Sequence, residues 1–415
     1  MIKIGVVGAG HLGRWHIKNL NALDNVELVG FFDSDTQRST VIADEYKATP
    51  FSSLDQLLQS CDAVSIVVPT ISHFHVAKTA LEMGLHVFCE KPFMQTIDEA
   101  NTIIELAKHK NLVLQVGHIE RFNPALAGIG NFPVNPLFIE SHRISPFNPR
   151  GTDVAVILDL MIHDIDIILS MVDAEVEQID ASGAPVLTDT IDIANARIKF
   201  TNGCVANITA SRISDKQMRK IRIFQKDAYL SIDFLKNQTN IYSLSQNPDE
   251  IPENAIPVAE LKINDNTTKT ISYQEIHTTE SNAMLEELRA FTYSIENGTP
   301  PLVTGEDGKR ALEIALQIEQ QIKMKRQLLL EKRKYSEEYV LKKDKRVIIE
   351  MNRVEHLGWY LEIEYLCQPH EMQTAKKKIR HVLKLLEVNP KHIDNTGYTR
   401  MLWDRGVKDK RYFLK

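Results

Sequence analysis

The spacing Gly8-x-Gly10-x-x-Gly13, with His11 and Leu12 inside it, falls directly behind the apolar, β-branched run Ile2–Val7. A helical stretch carrying Leu12, Trp15, His16 and Leu20 follows it. In that context each glycine does something different. Gly8 permits a tight turn, Gly10 lets backbone approach a pyrophosphate, and Gly13 lets the helix pack closely on the strand. Free N–H groups at the start of the helix would face the anion. The next apolar run, Val26–Phe32, ends at Asp33, twenty residues beyond Gly13. A carboxylate there accepts hydrogen bonds from the ribose hydroxyls of NAD and repels the 2′-phosphate of NADP. Asp35 adds a second negative charge, and no arginine follows before Arg38. The reading is therefore NAD, with NADP less favoured.

These residues need a scaffold that brings strand ends together. Further strand candidates run over 63–68, 86–89 and 112–116, alternating with helical stretches over 73–83 and 98–108. Alternation of this kind specifies an α/β fold with a doubly wound parallel sheet of Rossmann type. Its ligand crevice lies beyond the carboxyl ends of the strands, where Gly8, Asp33, Pro69, Glu90 and Gly117 fall. From Asn123 onward the pattern changes to a long apolar helix over 154–171 and strand-like runs over 193–200, 205–210, 220–224 and 228–233. Thr201-Asn202-Gly203 reads as a hairpin turn. This predicts an α+β domain with a mainly antiparallel sheet packed on the helix. The polar stretch 247–268 reads as loop, and helices are expected over 281–296 and 306–325. The expected domains are a dinucleotide-binding unit over 1–122, a substrate and oligomerisation unit over 123–328, and a further segment over 339–415.

Of the 415 residues 43% are hydrophobic and 25% charged, which suffices for two or three packed domains. No apolar run reaches the roughly 18 residues of a membrane span, and the N-terminus reads as a strand rather than a signal peptide, so a cytoplasmic protein without membrane association is expected. Cys61, Cys89, Cys204 and Cys367 are scattered without CxxC or metal-ligand spacing, so no metal is expected. Charge is unevenly distributed. From Lys325 onward there are 22 Lys and Arg against 13 Asp and Glu, whereas the residues before it hold 27 against 42. The basic segment lacks the aromatic-interleaved pattern of a nucleic-acid surface, and no nucleic-acid partner is expected.

Three further motifs accompany the glycine turn: Glu90-Lys91-Pro92, Gly117-His118-Ile119-Glu120-Arg121-Phe122-Asn123-Pro124, and Asp159-Leu160-Met161-Ile162-His163-Asp164-Ile165-Asp166. Together they resemble the Gfo/Idh/MocA family of NAD(P)-dependent sugar and cyclitol oxidoreductases, over roughly residues 1 to 325, through Thr304-Gly305-Glu306-Asp307-Gly308 and its helix. The resemblance implies Lys91 as the residue that hydrogen-bonds the reacting oxygen and also touches cofactor, and Asp159 and His163 as catalytic partners. Four residues apart on one helix, the carboxylate can orient the imidazole and stabilise its charged form. An ordinary histidine pKa of about 6.5 suits a group that takes a hydroxyl proton while hydride leaves the same carbon. Arg121 and Asn123 read either as contacts to substrate hydroxyls or phosphates or, for the arginine, as a salt-bridge partner; His118 is equally open. Asp164 and Asp166 read as capping or solvating the helix.

Within the family, phrases such as GHIERFNPA and MRKIRIFQKDAYLSID are most similar to the branch that oxidises the 3-hydroxyl of UDP-N-acetylglucosamine in lipid A precursor synthesis. That branch implies a nucleotide-sugar substrate, an aminotransferase acting next, and Arg143, Arg150 and Arg212 as phosphate contacts. A homo-oligomer, dimer or tetramer, is expected. The alternatives are a dehydrogenase or keto-reductase of a free sugar or cyclitol, and an NAD-binding scaffold or sensor without turnover. The segment 339–415 resembles the second half of a CYTH domain, through KRVIIEMNRVEHLGWYLEIEYL, a helix over 371–386 and HIDNTGYTRMLW. Glu362 and Glu364 would share a strand face there, but the N-terminal ExExK signature has no counterpart, which implies a partial, CYTH-like unit without catalysis.

Overall fold

The computed structural model describes residues 1–148, 154–247, 251–264, 267–279 and 281–331, three strands beyond them, and positions 374, 377, 379 and 380. The chain divides into two units, Met1–Ile322 and Lys323–Lys415.

The first unit begins with strict alternation: β1 (Ile2–Val7), α1 (Gly13–Leu20), β2 (Val26–Phe32), α2 (Thr36–Tyr46), α3 (Leu54–Leu58), β3 (Ala63–Ile66), α4 (His73–Glu82), β4 (His86–Glu90), α5 (Ile97–His109) and β5 (Leu114–Gly117). The strands form one sheet in the order β2-β1-β3-β4-β5, every neighbouring pair parallel. Strands β3 and β5 are buried throughout, as strands covered on both faces must be. One face packs Val64, Ile66 and Val87 on Val76, Leu81 and Ile103 of α4 and α5. The other packs Ile4, Val6 and Phe88 on Ile17 and Leu20 of α1, joined by Leu288 and Phe291 from much later in the chain. Helix α1 thus buries His16, Ile17 and Leu20, while Leu12 and Trp15, read with them at helical spacing, are exposed. The strand order reverses between β1 and β3, which opens the crevice there.

After α6 (Pro124–Ala127) and β6 (Phe138–Ile144) comes the apolar helix, in two parts: a π-helical turn over Ile157–Met161, then α7 (Ile162–Met171). Strands β7 (Val176–Ala184), β8 (Ile193–Phe200), β9 (Val205–Ser211), β10 (Met218–Gln225), β11 (Ala228–Asp233), β12 (Gln238–Ser245), β13 (Ile256–Asn264) and β14 (Thr267–His277) follow, then α8 (Ala283–Asn297) and α9 (Gly305–Glu331). The sheet runs β13-β14-β12-β11-β10-β6-β9-β8-β7 and is antiparallel except for β6 beside β9. Strand β8 alternates exposed and buried residues without a break, and its inner face joins Ile162, Ile165 and Leu169 of α7 in one core. The stretch read as loop over 247–268 contains β13, an edge strand exposed along its whole length, apolar Ile256, Val258, Leu261 and Ile263 included.

In the second unit β15 (Ser336–Val340), β16 (Val347–Val354) and β17 (Gly358–Tyr365) form an antiparallel sheet, in which Glu362 pairs in register with Glu350 and Glu364 with Ile348. The run 392–403 lies outside the described residues. Among the described residues no helix is long and apolar enough to cross a membrane.

Candidate active site

The glycine turn is built as its spacing requires. Gly8 has φ +97°, a left-handed conformation that side chains resist, and a Cβ there would meet the Val67 carbonyl oxygen. A Cβ on Gly13 would land on the carbonyl oxygen of Gly8, whereas one on Gly10 would meet nothing within 4 Å. Two glycines therefore close the turn and the middle one leaves space above it. A cavity of about 610 Å³ opens over the turn, lined by His11 and Leu12, Phe32 to Ser34, Val67 to Pro69, and Glu90 with Lys91. Asp33 Oδ2 accepts the Ala9 N–H at 2.8 Å, which ties the acid at the end of β2 to the turn after β1. Arg38 Nη1 lies 3.1 Å from both Asp33 oxygens, and Nη2 lies 3.2 Å from Asp35. Asp35 also caps α2 by accepting the Arg38 N–H. Turn, cavity and acid fit a dinucleotide, with pyrophosphate against the turn and ribose towards Asp33.

At the other end of this cavity stands Lys91, whose Nζ donates to the Asp159 carbonyl at 2.8 Å and lies 3.5 Å from Asp159 Oδ1. The structure thus brings Lys91 and Asp159 together from chain segments 68 residues apart. The expected Asp159–His163 pair does not form. Asp159 lies in the π-helical turn, where the wider spiral no longer stacks residues four apart, and its carboxylate turns to Lys91. His163 Nδ1 is buried without a partner. The histidine pKa accordingly moves opposite to expectation: burial, then the neighbouring Lys91, Arg143, His118 and Arg219, push it well below the ordinary value. His118 lies next to it, with ring centroids 6.5 Å apart, and burial lowers its pKa as well.

The remaining candidates are placed largely as supports. Arg121 takes the salt-bridge alternative, Nε donating to Asp166 Oδ2 at 2.8 Å. Asn123 caps α6 through the Ala125 N–H and donates to Glu120. Arg143, expected at a substrate phosphate, is only 2% exposed; it donates to Glu120 at 2.6 Å and to Asp164 at 2.7 Å, partners a phosphate would have to displace. Asp164 and Asp166 are buried counter-ions rather than solvated caps, because each faces an arginine. Arg212 is also buried, donating to the Val154 carbonyl, and Arg150 lies outside the described residues.

Sequence reasoning passed over Glu120, which gathers Arg143 and the half-exposed Arg219, and did not join the crevice residue Glu90 to the buried His16 and Ser65. There His16 Nδ1 lies 2.8 Å from Ser65 Oγ and Nε2 lies 3.0 Å from Glu90 Oε1. Only a polar residue on an apolar helix stripe hinted at His16. Burial raises the thiol pKa of Cys61 to about 12 and of Cys204 to about 11, and Cys89 is pushed up as well, which keeps these sulfurs unreactive.

Comparison with known proteins places this geometry. Residues 2–118 match the oxidoreductase family with an NAD-binding Rossmann fold, and residues 140–231 match the GFO/IDH/MocA C-terminal domain. Neither reaches 339–415, so the CYTH-like reading of that segment gains no support. UDP-N-acetylglucosamine 3-dehydrogenase of Acidithiobacillus ferrooxidans is 37% identical over 322 residues, 76% of this chain and 96% of the relative. Its solved structure aligns with a TM-score of 0.69 at 36% identity, covering 78% of this chain and 98% of that one. The structure of scyllo-inositol dehydrogenase from Lactobacillus casei with bound NAD(H) and scyllo-inositol shares the fold, with a TM-score of 0.61 at 23% identity, 78% of this chain and 98% of that one covered.

Proposed function

The chain belongs to the Gfo/Idh/MocA family of NAD-binding oxidoreductases, and from that premise we propose that it oxidises the 3-hydroxyl of a UDP-N-acetylglucosamine-type nucleotide sugar to a ketone. The observation that carries the reading is the meeting of Lys91 and Asp159 at the end of the dinucleotide cavity, with His163 close enough for the Lys91 charge to act on it. The nature of the sugar rests on the relative at 37% identity.

In this reading Gly8, Gly10, His11, Leu12 and Gly13 hold the pyrophosphate, and Asp33 the ribose. Pro69, Glu90 and Lys91 border the nicotinamide end. The dinucleotide supplies the hydride acceptor. His163, kept neutral by burial and surrounding cations, takes the hydroxyl proton, and the Lys91 ammonium steadies the oxygen as charge develops on it. Asp159 holds Lys91 in place. Arg121, Asn123 and Arg143 act behind this group by fixing the carboxylates and the turn around it. One arginine against Asp33 and Asp35 leaves the ribose end net negative, which favours NAD over NADP.

Oxidation of an alcohol by NAD is unfavourable near neutrality, so an aminotransferase consuming the ketone is the expected next enzyme, and a cytoplasmic location is part of the same reading. A dimer or tetramer is also inferred: Phe224, Tyr229, Tyr242 and Tyr273 stand in a row across β10 to β14, with Phe224 and Tyr242 exposed. The test is a panel of UDP-sugars, free sugars and inositols followed by NADH absorbance and product mass. NADH formed with UDP-N-acetylglucosamine supports the reading; NADH formed only with unactivated sugars or inositols overturns it.

A further inference from the structure

Behind Lys91, on the α1 and α8 side of the parallel sheet, lies a fully buried carboxyl that the proposed chemistry does not use. Glu287 of α8 has no exposed surface, and both its side-chain oxygens lack a hydrogen-bond partner. Gln115 of β5 reaches the same residue: its Nε2 donates to the Glu287 carbonyl at 3.0 Å, and its Oε1 is left without a partner. The surroundings are rich in acceptors and negative charge. Glu90 of β4 accepts from the Lys91 N–H and lies beside His16 of α1. Asp166 of α7 faces Arg121 and His118, and Glu120 lies on the turn packed against α8.

An ionised Glu287 could only accept, and nothing here donates to it. Adding one proton changes the chemistry: the carboxyl becomes a donor among unsatisfied or negative acceptors, and the buried charge disappears. We propose that Glu287 is held as the neutral acid and is a positioning residue for the chemistry at Lys91, its proton donated to a neighbouring acceptor so that it adds no charge to the carboxyl groups of Glu90, Asp166 and Glu120 around it. Burial first, then the charges of Glu90 and Asp166, push its pKa up, in keeping with this geometry. A further charge there would strengthen the hold on cationic Lys91 and disturb Glu90, whose carboxylate carries the backbone of that lysine.

The sign of the pH effect follows. A carboxyl whose pKa rises on folding binds its proton more tightly in the folded state, so its contribution is complete below the ordinary glutamate value of about 4.3 and is lost as pH rises towards the folded pKa. Glu287→Gln copies the neutral acid and removes that loss.

The experiment uses the full-length protein and its Glu287→Gln and Glu287→Leu variants, with infrared difference spectra, melting temperature from pH 5 to 9, and NADH production over the same range. The expected results are loss of an un-ionised carboxyl carbonyl band in the Gln variant, a melting temperature relative to wild type that climbs with pH, and turnover at pH 7 within about threefold of wild type. The Leu variant, if folded, should lose about tenfold or more in turnover, because the donor is gone. Loss of a carboxylate band instead, or a Gln variant as impaired as the Leu variant, would overturn the proposal. The turnover readout rests on the dehydrogenase reading, whereas the infrared and melting readouts do not, so the two can fail separately.

Discussion

Among single residues, the chemistry depends on His163 being neutral and Lys91 being in reach. His163→Ala and Lys91→Ala should each lower turnover by about two orders of magnitude or more, the usual range for acid–base groups, while NAD affinity measured by calorimetry changes little. Near-normal turnover in both would remove them from the mechanism. Because burial and the neighbouring Lys91, Arg143, His118 and Arg219 depress the His163 pKa, the base stays available below the ordinary histidine range. The acid limb of kcat/KM for oxidation should therefore lie below about pH 6.5, the ordinary value. A limb at about pH 7 or above would mean that His163 is stabilised as the cation. Asp33→Ala should narrow the preference for NAD over NADP by about tenfold, since it removes the ribose acceptor and frees Arg38 for a 2′-phosphate. Titration with both cofactors checks this, and an unchanged preference would contradict it.

Among the elements, the close approach of α1 to β1 is the tightest constraint in the cofactor end. Gly13→Ala places a methyl on the Gly8 carbonyl, and overpacking of that kind costs roughly 1–3 kcal/mol. Thermal melting with and without NAD should show a lower melting temperature and a smaller NAD-induced rise; a variant that melts and binds as wild type would show that α1 can shift freely. This end of the site was legible in the sequence because backbone geometry demands particular residues: a left-handed Gly8, a Gly13 under a helix, an acid closing β2. The catalytic end was less so. Residues 154–171 read as one continuous helix, but the π-helical turn at Ile157–Met161 breaks the four-residue register and sends Asp159 to Lys91. No local pattern announces such a turn. Arg143 was misread for a related reason: it shows a charge in the sequence, but its carboxylate partners Glu120 and Asp164 come from other segments and meet it only in the fold. Strand β13 escaped because its alternating Ile256, Val258, Leu261 and Ile263 lie within a run of Asn, Asp, Glu and Thr that reads as loop, and the fold leaves them exposed.

In the molecule as a whole, every candidate site residue in the described chain comes from the unit ending at Ile322, and the family matches end at residue 231. A chain ending at Glu331 should therefore retain turnover within about threefold of the full-length protein. A soluble truncated protein that binds NAD without turning over would show that residues beyond Glu331 complete the site. Hydride removal from carbon 3 of a nucleotide sugar is the step on which everything else depends, and UDP-N-acetylglucosamine deuterated at that carbon reports on it without an intermediary. The deuterium should appear on the reduced nicotinamide while the sugar gains a ketone at carbon 3. Reduced cofactor without deuterium, or a ketone at any other carbon, would contradict that chemistry.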